Sequence, residues 1–303
     1  LASPLVLGAR LAADVLPLQL TTGHTAPLAL RSLADPMFVG THLVPKSLPS
    51  VLRRGLWAAL DGLKLEPLAR PAINAWRRHR GLPPLTVSVF GRWIHSPHGV
   101  IGFFPGDFAP PPDDWPVPVA QVGFPLYLPT EAPPADPELA DFLARDESPL
   151  IVVYPGSAPT AAAPRLQAQA SRLAAEGARV LLLGASAEDD ARTPHLLRRH
   201  EAHLPQVLSR AHLAIHHGGI GFTAQCLATG TPQVIEASAY DQPDNAYRAA
   251  RLQGLSVGGS LHARIRQALA SGTGQSRCLP DTGRYSVPGR PNAAVQRVLQ
   301  LLC

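Results

Sequence analysis

The stretch "HHGGIG" (residues 216–221) sets two histidines and three glycines between an apolar run and a helical pattern, "FTAQCLATG". The chemistry open to it is anion binding. A helix start leaves N–H groups unpaired and carries the positive end of the dipole, and glycines let a phosphate approach the backbone. His217 beside that turn can donate a further hydrogen bond to a phosphate oxygen. A glycine-rich turn with no ligand has the same signature, so the Gly-Gly pair alone does not decide.

The next apolar run ends in "SAYDQPDN" (residues 238–245), which offers a carboxylate and two amides. Asp241 and Gln242 can accept from and donate to several hydroxyls at once, which suits a sugar. Helix capping before Pro243 accounts for Asp241 but not for the pair. A phosphate turn followed by a hydroxyl-reading pair points to a nucleotide-sugar.

Other chemistries fail on spacing. "GASAE" from Gly184 has Glu188 where the hydrolase elbow Gly-x-Ser-x-Gly needs its last glycine. "HEAH" from His200 is one residue short of the zinc helix His-Glu-x-x-His, and Pro97 spoils a helical pairing of His95 with His98. "GGIGF" is not the dinucleotide fingerprint Gly-x-Gly-x-x-Gly. No two aspartates stand two apart, so the Asp-x-Asp metal motif of many sugar transferases is missing and no metal ligands are assigned.

The elements that must position these residues follow from periodicity. "PLIVVYPGS" reads as a buried strand, "APRLQAQASRLAAEG" as a helix closed by Gly177, and "ARVLLLGAS" as a second strand. "AHLAIHHGG" is a third strand running into a helix stopped by Gly230. "TPQVIEAS" is a fourth, followed by the helix "PDNAYRAARLQG". Strands alternating with helices predict a parallel sheet covered on both faces, with ligands beyond the carboxyl ends of its strands. Upstream, "FAPPPDDWPVPVAQVGFPLYLPTEAPPADPE" (residues 108–138) carries too many prolines for a helix or central strand and reads as an extended linker. "PLVLGARLAADVL" is a helix and "TVSVFG" a short strand. The Arg/Trp-rich "LRRGLWAALDGLKLEPLARPAINAWRRHRG" either lies on a membrane surface or packs on its domain with arginines in solvent, and the second reading comes first.

Composition bounds the function. The 303 residues are enough for two domains, and with 46% hydrophobic and 16% charged residues the chain is globular. Its pI of about 9.5 does not signal nucleic acid, because lysine occurs only at Lys46 and Lys64 and the excess arginine, with 33 prolines, reads as codon bias. Cys226, Cys278 and Cys303 are too far apart for a disulfide framework or thiolate site, which fits a cytoplasmic location. No apolar run is as long as a membrane span.

The run "HHGGIGFTAQCLATGTPQVIEASAYDQPDNAYRAARL" resembles the donor motif of UDP-sugar-dependent glycosyltransferases of GT-B fold, the bacterial sterol, flavonoid and macrolide type. Their pattern is His-His-Gly-Gly-x-Gly-Thr, a Gly-x-Pro-Gln strand, then Asp-Gln-Pro-x-Asn. "ASPLVLGARLAADVLPLQL", "FFPGDFAPPPDDWP", "VGFPLY" and "VYPGSAP" are similar to segments of that family in the same order, and the similarity fades after about Gly259. The resemblance implies an α/β chain of two Rossmann-like domains: a partial acceptor domain over residues 1–130, a linker over 131–147, a donor domain over 148–288, and a last helix over 289–303 packing back towards the first domain. That helix carries Val295, Val298, Leu299 and Leu302 at helical spacing.

The resemblance also assigns roles. His217 with the backbone of Gly218, Gly219 and Gly221, the backbone N–H of Phe222, Thr223 with its hydroxyl one place late, and Ser157 in the turn after the first donor-domain strand would hold the diphosphate; Asp241 and Gln242 would read the sugar; Glu201, His203 and Leu204 would lie near the base. His216 would pack behind the loop. Phe222 stands where the family has a small hydroxyl residue, and "RRHEAHLPQ" lacks the aromatic that stacks on uracil. The family's base histidine sits in a glycine-rich first strand and turn, so the general base is expected upstream of Leu1 and the chain as it stands is expected to turn over poorly; His24 in "TTGHTAP", read as a loop, is the weak substitute. The implied reaction is inverting, metal-independent transfer of a sugar from a UDP-sugar or other NDP-sugar to a hydroxyl of a lipophilic small molecule, with no cofactor beyond the co-substrate. Its partners are those two small molecules, without nucleic acid, and peripheral membrane contact rests on the Arg/Trp stretch. The alternative is a non-catalytic remnant that binds a nucleotide-sugar or a partner.

Overall fold

The computed structural model describes residues 1–126, 136–145, 148–156, 161–184, 193–270, 297–298 and 300–301. They fall in two compact units, one of Leu1–Gly123 with Arg297–Cys303 and one of Phe124–Gln296. No helix among the described residues is long and apolar enough to cross a membrane.

The first unit begins with α1 (Leu7–Val15), as its apolar spacing predicts, and β1 (Thr22–His24). An antiparallel pair, β2 (Met37–Val39) and β3 (His42–Val44), precedes α2 (Ser50–Leu60), which runs through a π-helical turn at Asp61–Leu65 into α3 (Glu66–His79). β4 (Val100–Gly102) pairs in parallel with β1 on one side and with β5 (Ala120–Gln121) on the other. The segment "TVSVFG" is not a strand. Ser88 accepts from Gly91 N–H and starts a π-helical turn, Val89–Trp93, which buries Val89 and Trp93 against Ala69 and Ile73 of α3. The arginines of α3 are not simply in solvent either: Arg70 donates to the carbonyls of Leu85 and Val87 at 2.7 Å, and Arg77 pairs with Asp14 of α1. α2 instead turns apolar side chains outward, with Val51 75% exposed and Leu52 54%.

Prolines in the region read as an extended linker leave room for structure at both ends. β5 is an edge strand, and α4 (Pro137–Ala144) starts with a proline in its first turn, where no N–H is needed. Asp136 caps it by accepting from Leu139 N–H at 2.9 Å.

The second unit follows the alternating pattern. Its elements are β6 (Leu150–Tyr154), α5 (Ala163–Ala175), β7 (Arg179–Leu183), β8 (Leu196–Arg199), α6 (Leu204–Leu208), β9 (Leu213–His216), α7 (Ile220–Thr229), β10 (Gln233–Ile235), α8 (Gln242–Gln253) and α9 (Leu261–Ala270). The strands form one all-parallel sheet in the order β10-β9-β6-β7-β8. Alternate residues face opposite ways: Ile151, Val153, Val180, Leu182, Leu213 and Ile215 pack under α5 and α9. Leu150, Val152, Leu181, Leu183 and Ala214 pack on the other face with Phe222 and Cys226 of α7. β8 and α6 escape the sequence reading because the strand has only two buried apolar residues, Leu196 and Leu197, before two arginines, and the helix is five residues long.

Of the last helix, Arg297 and Val298 are helical and group with the first unit, whereas Val295, Leu299 and Leu302 lie outside the described residues. Ser157 also lies outside them.

Candidate functional site

In the second unit the chain runs outward one way from β6 to β7 and β8, and the other way from β9 to β10, so the crevice between β6 and β9 is the switch point where such sheets take ligands. Tyr154 pairs with His216 at its lip. The turns that leave these two strands, Pro155 with Gly156 and His217 to Gly219, therefore lie side by side.

Glycine is required at that lip by close approach. A Cβ on Gly156 would stand 3.0 Å from the His217 ring, and one on Gly219 would stand 2.7 Å from His217 Nε2. The imidazole thus fills the space that two side chains would otherwise take. Gly218 has φ +96°, and a Cβ there would meet Ile235 Cγ2 at 2.6 Å. Gly221 meets nothing within 4 Å. It leaves the first turn of α7 open, with no acidic residue and no side-chain cap on its N–H groups.

The two histidines are built differently. His216 is fully buried; its Nε2–H donates to Gln233 Oε1 at 2.9 Å, and its Nδ1 accepts from Gly218 N–H at 3.1 Å. Burial pushes its pKa down to about 3, so it is a neutral strut behind the turn, as expected. His217 is half-buried, with its ring edge-on to Tyr154 at 5.7 Å between centroids. Its Nδ1 is buried and closes no hydrogen bond of normal geometry. Burial lowers its pKa, while the nearby Tyr154 carbonyl and the Asp241 carboxylate act to raise it. A ring so poised gains most from an anionic ligand.

Phe222 and Thr223 turn away from the crevice. Phe222 is 5% exposed and stacks on Tyr154 at 4.9 Å, so only its backbone N–H, at the start of α7, is left for a ligand. Thr223 is buried and its hydroxyl donates to the Gly219 carbonyl at 3.0 Å, inside its own helix. The missing small hydroxyl residue is therefore not replaced one position later.

Asp241 stands at the start of α8, where its Oδ2 accepts from Asn245 Nδ2 at 2.9 Å. Gln242 is buried, and its Oε1 accepts from the N–H groups of Ser238 at 2.8 Å and Ala239 at 3.1 Å. Gln242 shapes the turn after β10 with its side-chain oxygen. Between them, Asn245 is a residue that sequence reasoning did not single out, although the motif contains it. The same Nδ2 donates to the Gly218 carbonyl at 2.9 Å and so ties the start of α8 to the glycine turn that leaves β9. Gln233, which holds His216 from behind, was missed as well, although the Gly-x-Pro-Gln strand pattern contains it.

Glu201 is exposed, and His203 caps α6 by accepting from Gln206 N–H at 3.3 Å, with Leu204 partly buried behind it. All three follow β8, at the sheet's outer edge but on the same carboxyl rim as His217. His24, by contrast, is not in a loop. It ends β1, is 1% exposed, and its Nε2 meets His95 Nδ1 at 3.1 Å. Burial lowers its pKa to about 4. Among the described residues the ring is closed off from solvent.

No family model matches the chain. Among curated proteins it is 31% identical over 202 residues to O-mycaminosyltylonolide 6-deoxyallosyltransferase of Streptomyces fradiae, covering 67% of this chain and 47% of that protein. It is 27% identical over 252 residues to dTDP-epi-vancosaminyltransferase of Amycolatopsis orientalis, covering 78% of this chain and 60% of that protein. Among solved structures, spinosyn forosaminyltransferase SpnP superposes with a TM-score of 0.63 at 14% identity, over 99% of this chain and 74% of that one. The chain is a relative of glycosyltransferases, and its fold is GT-B. It spans about half the length of the curated relatives it matches.

Proposed function

We propose that the protein transfers a sugar from a nucleoside-diphosphate donor to a hydroxyl of a lipophilic small molecule, with inversion and without a metal. The observation that carries this reading is the His217 ring seated between Gly156 and Gly219 at the β6/β9 crevice, beside the open start of α7 and within electrostatic reach of Asp241. The diphosphate lies on the α7 N–H groups and His217; Asp241 and Gln242 Nε2 hold the sugar hydroxyls. The acceptor oxygen attacks the anomeric carbon from the face opposite the diphosphate and loses its proton to a base. The bond from that carbon to the phosphate oxygen breaks, and its electron pair leaves on the diphosphate. Helix dipole and imidazole neutralise that charge.

The resemblance in the motif favours UDP as the nucleotide, while one relative is named for dTDP. For the acceptor, the other relative is named for a tylonolide already carrying one sugar, which favours a macrolactone. The test is calorimetric titration with UDP and dTDP, followed by a transfer assay with their sugars and macrolactone acceptors, with and without a chelator. Binding with chelator-insensitive transfer supports the reading; chelator-sensitive transfer removes metal independence. Binding without transfer marks a carrier of the nucleotide-sugar, and failure to bind either nucleotide removes the donor site.

A further inference from the structure

Tyr240 has a backbone φ of 57°, and among the described residues it is the one non-glycine with positive φ. For a bulky side chain this left-handed conformation is a true outlier that the backbone adopts only under constraint. The turn around it is over-determined: Gln242 N–H donates to the Ala239 carbonyl at 3.2 Å, and Gln242 Oε1 holds Ser238 and Ala239 from the other side. The strain is therefore held in place by a buried glutamine. It is not relieved by packing, because Tyr240 is 86% exposed. A strained backbone that displays an unpacked aromatic ring gains nothing for the fold, and glycine or asparagine would serve the turn better.

The ring stands one residue before Asp241, on the carboxyl rim of β10, where the sugar hydroxyls are read. We propose that Tyr240 is a specificity-determining residue that stacks against the apolar C–H face of the donor hexose. Asp241 and Gln242 supply polar contacts at the edge of that ring, and Tyr240 supplies the face that polar groups cannot recognise. The proposal rests on the donor-site reading given above.

The experiment titrates dTDP, UDP, dTDP-glucose and UDP-glucose into the wild type and into Tyr240→Asn and Tyr240→Phe. Thermal unfolding of each variant is measured alongside. Asparagine tolerates the left-handed backbone and removes the ring; phenylalanine keeps the ring and loses only the hydroxyl. The expected result is that Tyr240→Asn weakens the sugar nucleotide about 2–10-fold while leaving the free nucleotide unchanged. Its melting temperature should be equal to the wild type or higher by about 2–4 °C. Tyr240→Phe should retain wild-type affinity. Unchanged sugar-nucleotide affinity in Tyr240→Asn overturns the proposal, and so does an equal loss for free nucleotide, which would place the ring on the base or phosphates. A wild type that binds none of the four ligands refutes the donor-site reading itself, and this proposal with it.

Discussion

Asn245 donates from its side-chain amide to the Gly218 carbonyl at 2.9 Å, so helix α8 grips the glycine turn that leaves β9. Since the same nitrogen reaches the Asp241 carboxylate, the glycine turn after β9 and the start of α8 share one donor group. Asn245→Ala should cost about 1–3 kcal/mol of stability and also weaken nucleotide binding. Asn245→Asp should be worse, because it sets a second carboxylate beside Asp241 and faces a carbonyl with an acceptor. Chemical denaturation and calorimetry on both variants check this ordering. Equal behaviour of the two would mean that the amide donor is not what matters.

Gly218 and Gly221 make opposite expectations within one loop. Gly218→Ala places a Cβ 2.6 Å from Ile235 in a backbone conformation that alanine avoids, and should destabilise the unit by well over about 1 kcal/mol. Gly221→Ala meets open space on a helix and should be neutral or stabilising by up to about 1 kcal/mol. Melting temperatures of the two variants decide it.

For the histidine pair, binding and stability should separate. His217→Ala should weaken nucleoside diphosphate binding by about 1.5–3 kcal/mol with little effect on folding. His216→Ala should chiefly cost stability, since it leaves Gln233 and Gly218 N–H without their partner. Calorimetry and urea unfolding on both variants test it. A loss of affinity as large for His216→Ala would reverse the assignment.

Gln242→Ala should weaken a sugar nucleotide more than the free nucleotide. Its buried oxygen also organises Ser238 and Ala239, so some loss of stability should accompany it. If both ligands lose equally in titration, the residue acts only through the turn.

Three buried histidines should make the protein acid-sensitive. His24, His95 and His216 have pKa values lowered from 6.5 to about 4, about 3 and about 3. The unfolded chain therefore binds more protons between about pH 3 and 6.5, so stability should be full above about pH 6.5 and fall as the pH drops through that window. Each histidine contributes a slope of at most about 1.4 kcal/mol per pH unit. Replacing both His24 and His95 with asparagine should flatten the difference in urea stability between pH 7.5 and pH 5, and an unchanged difference would clear the pair of this role.

The donor-side architecture was legible because its signals are local. Four apolar runs, the glycine stops at Gly177 and Gly230, and the motif around His217 each report on their own neighbourhood. β8 was not, because an edge strand buried over two residues has no period to read. "TVSVFG" alternates like a strand, but Ser88 caps a turn instead, and only its pairing with Glu66, 2.9 Å away and far along the chain, shows why. The linker reading treated every proline as a breaker, whereas Pro137 sits in the one helical turn that accepts it. In the site, the resemblance separated the two histidines but not the cause of the difference. His216 is held behind the turn by Gln233, a residue of the next strand. Thr223 looked available because sequence does not show the Gly219 carbonyl it is bonded to.

The strand order has a consequence for how the site comes into being. β9 lies between β6 and β10, pairing Ile151 with Leu213 and Ile235 with His216. Each such pairing closes a long loop before it is rewarded, which makes folding slow and cooperative. As the chain leaves the ribosome, β6 and β7 can meet early, but the crevice has only one wall until β9 arrives. Even then the glycine turn is unanchored until Asn245 has been synthesised. Ligand affinity should therefore appear late and in a single step during synthesis, and a nascent chain stopped before α8 would have all five strands of this sheet and no grip on a nucleotide.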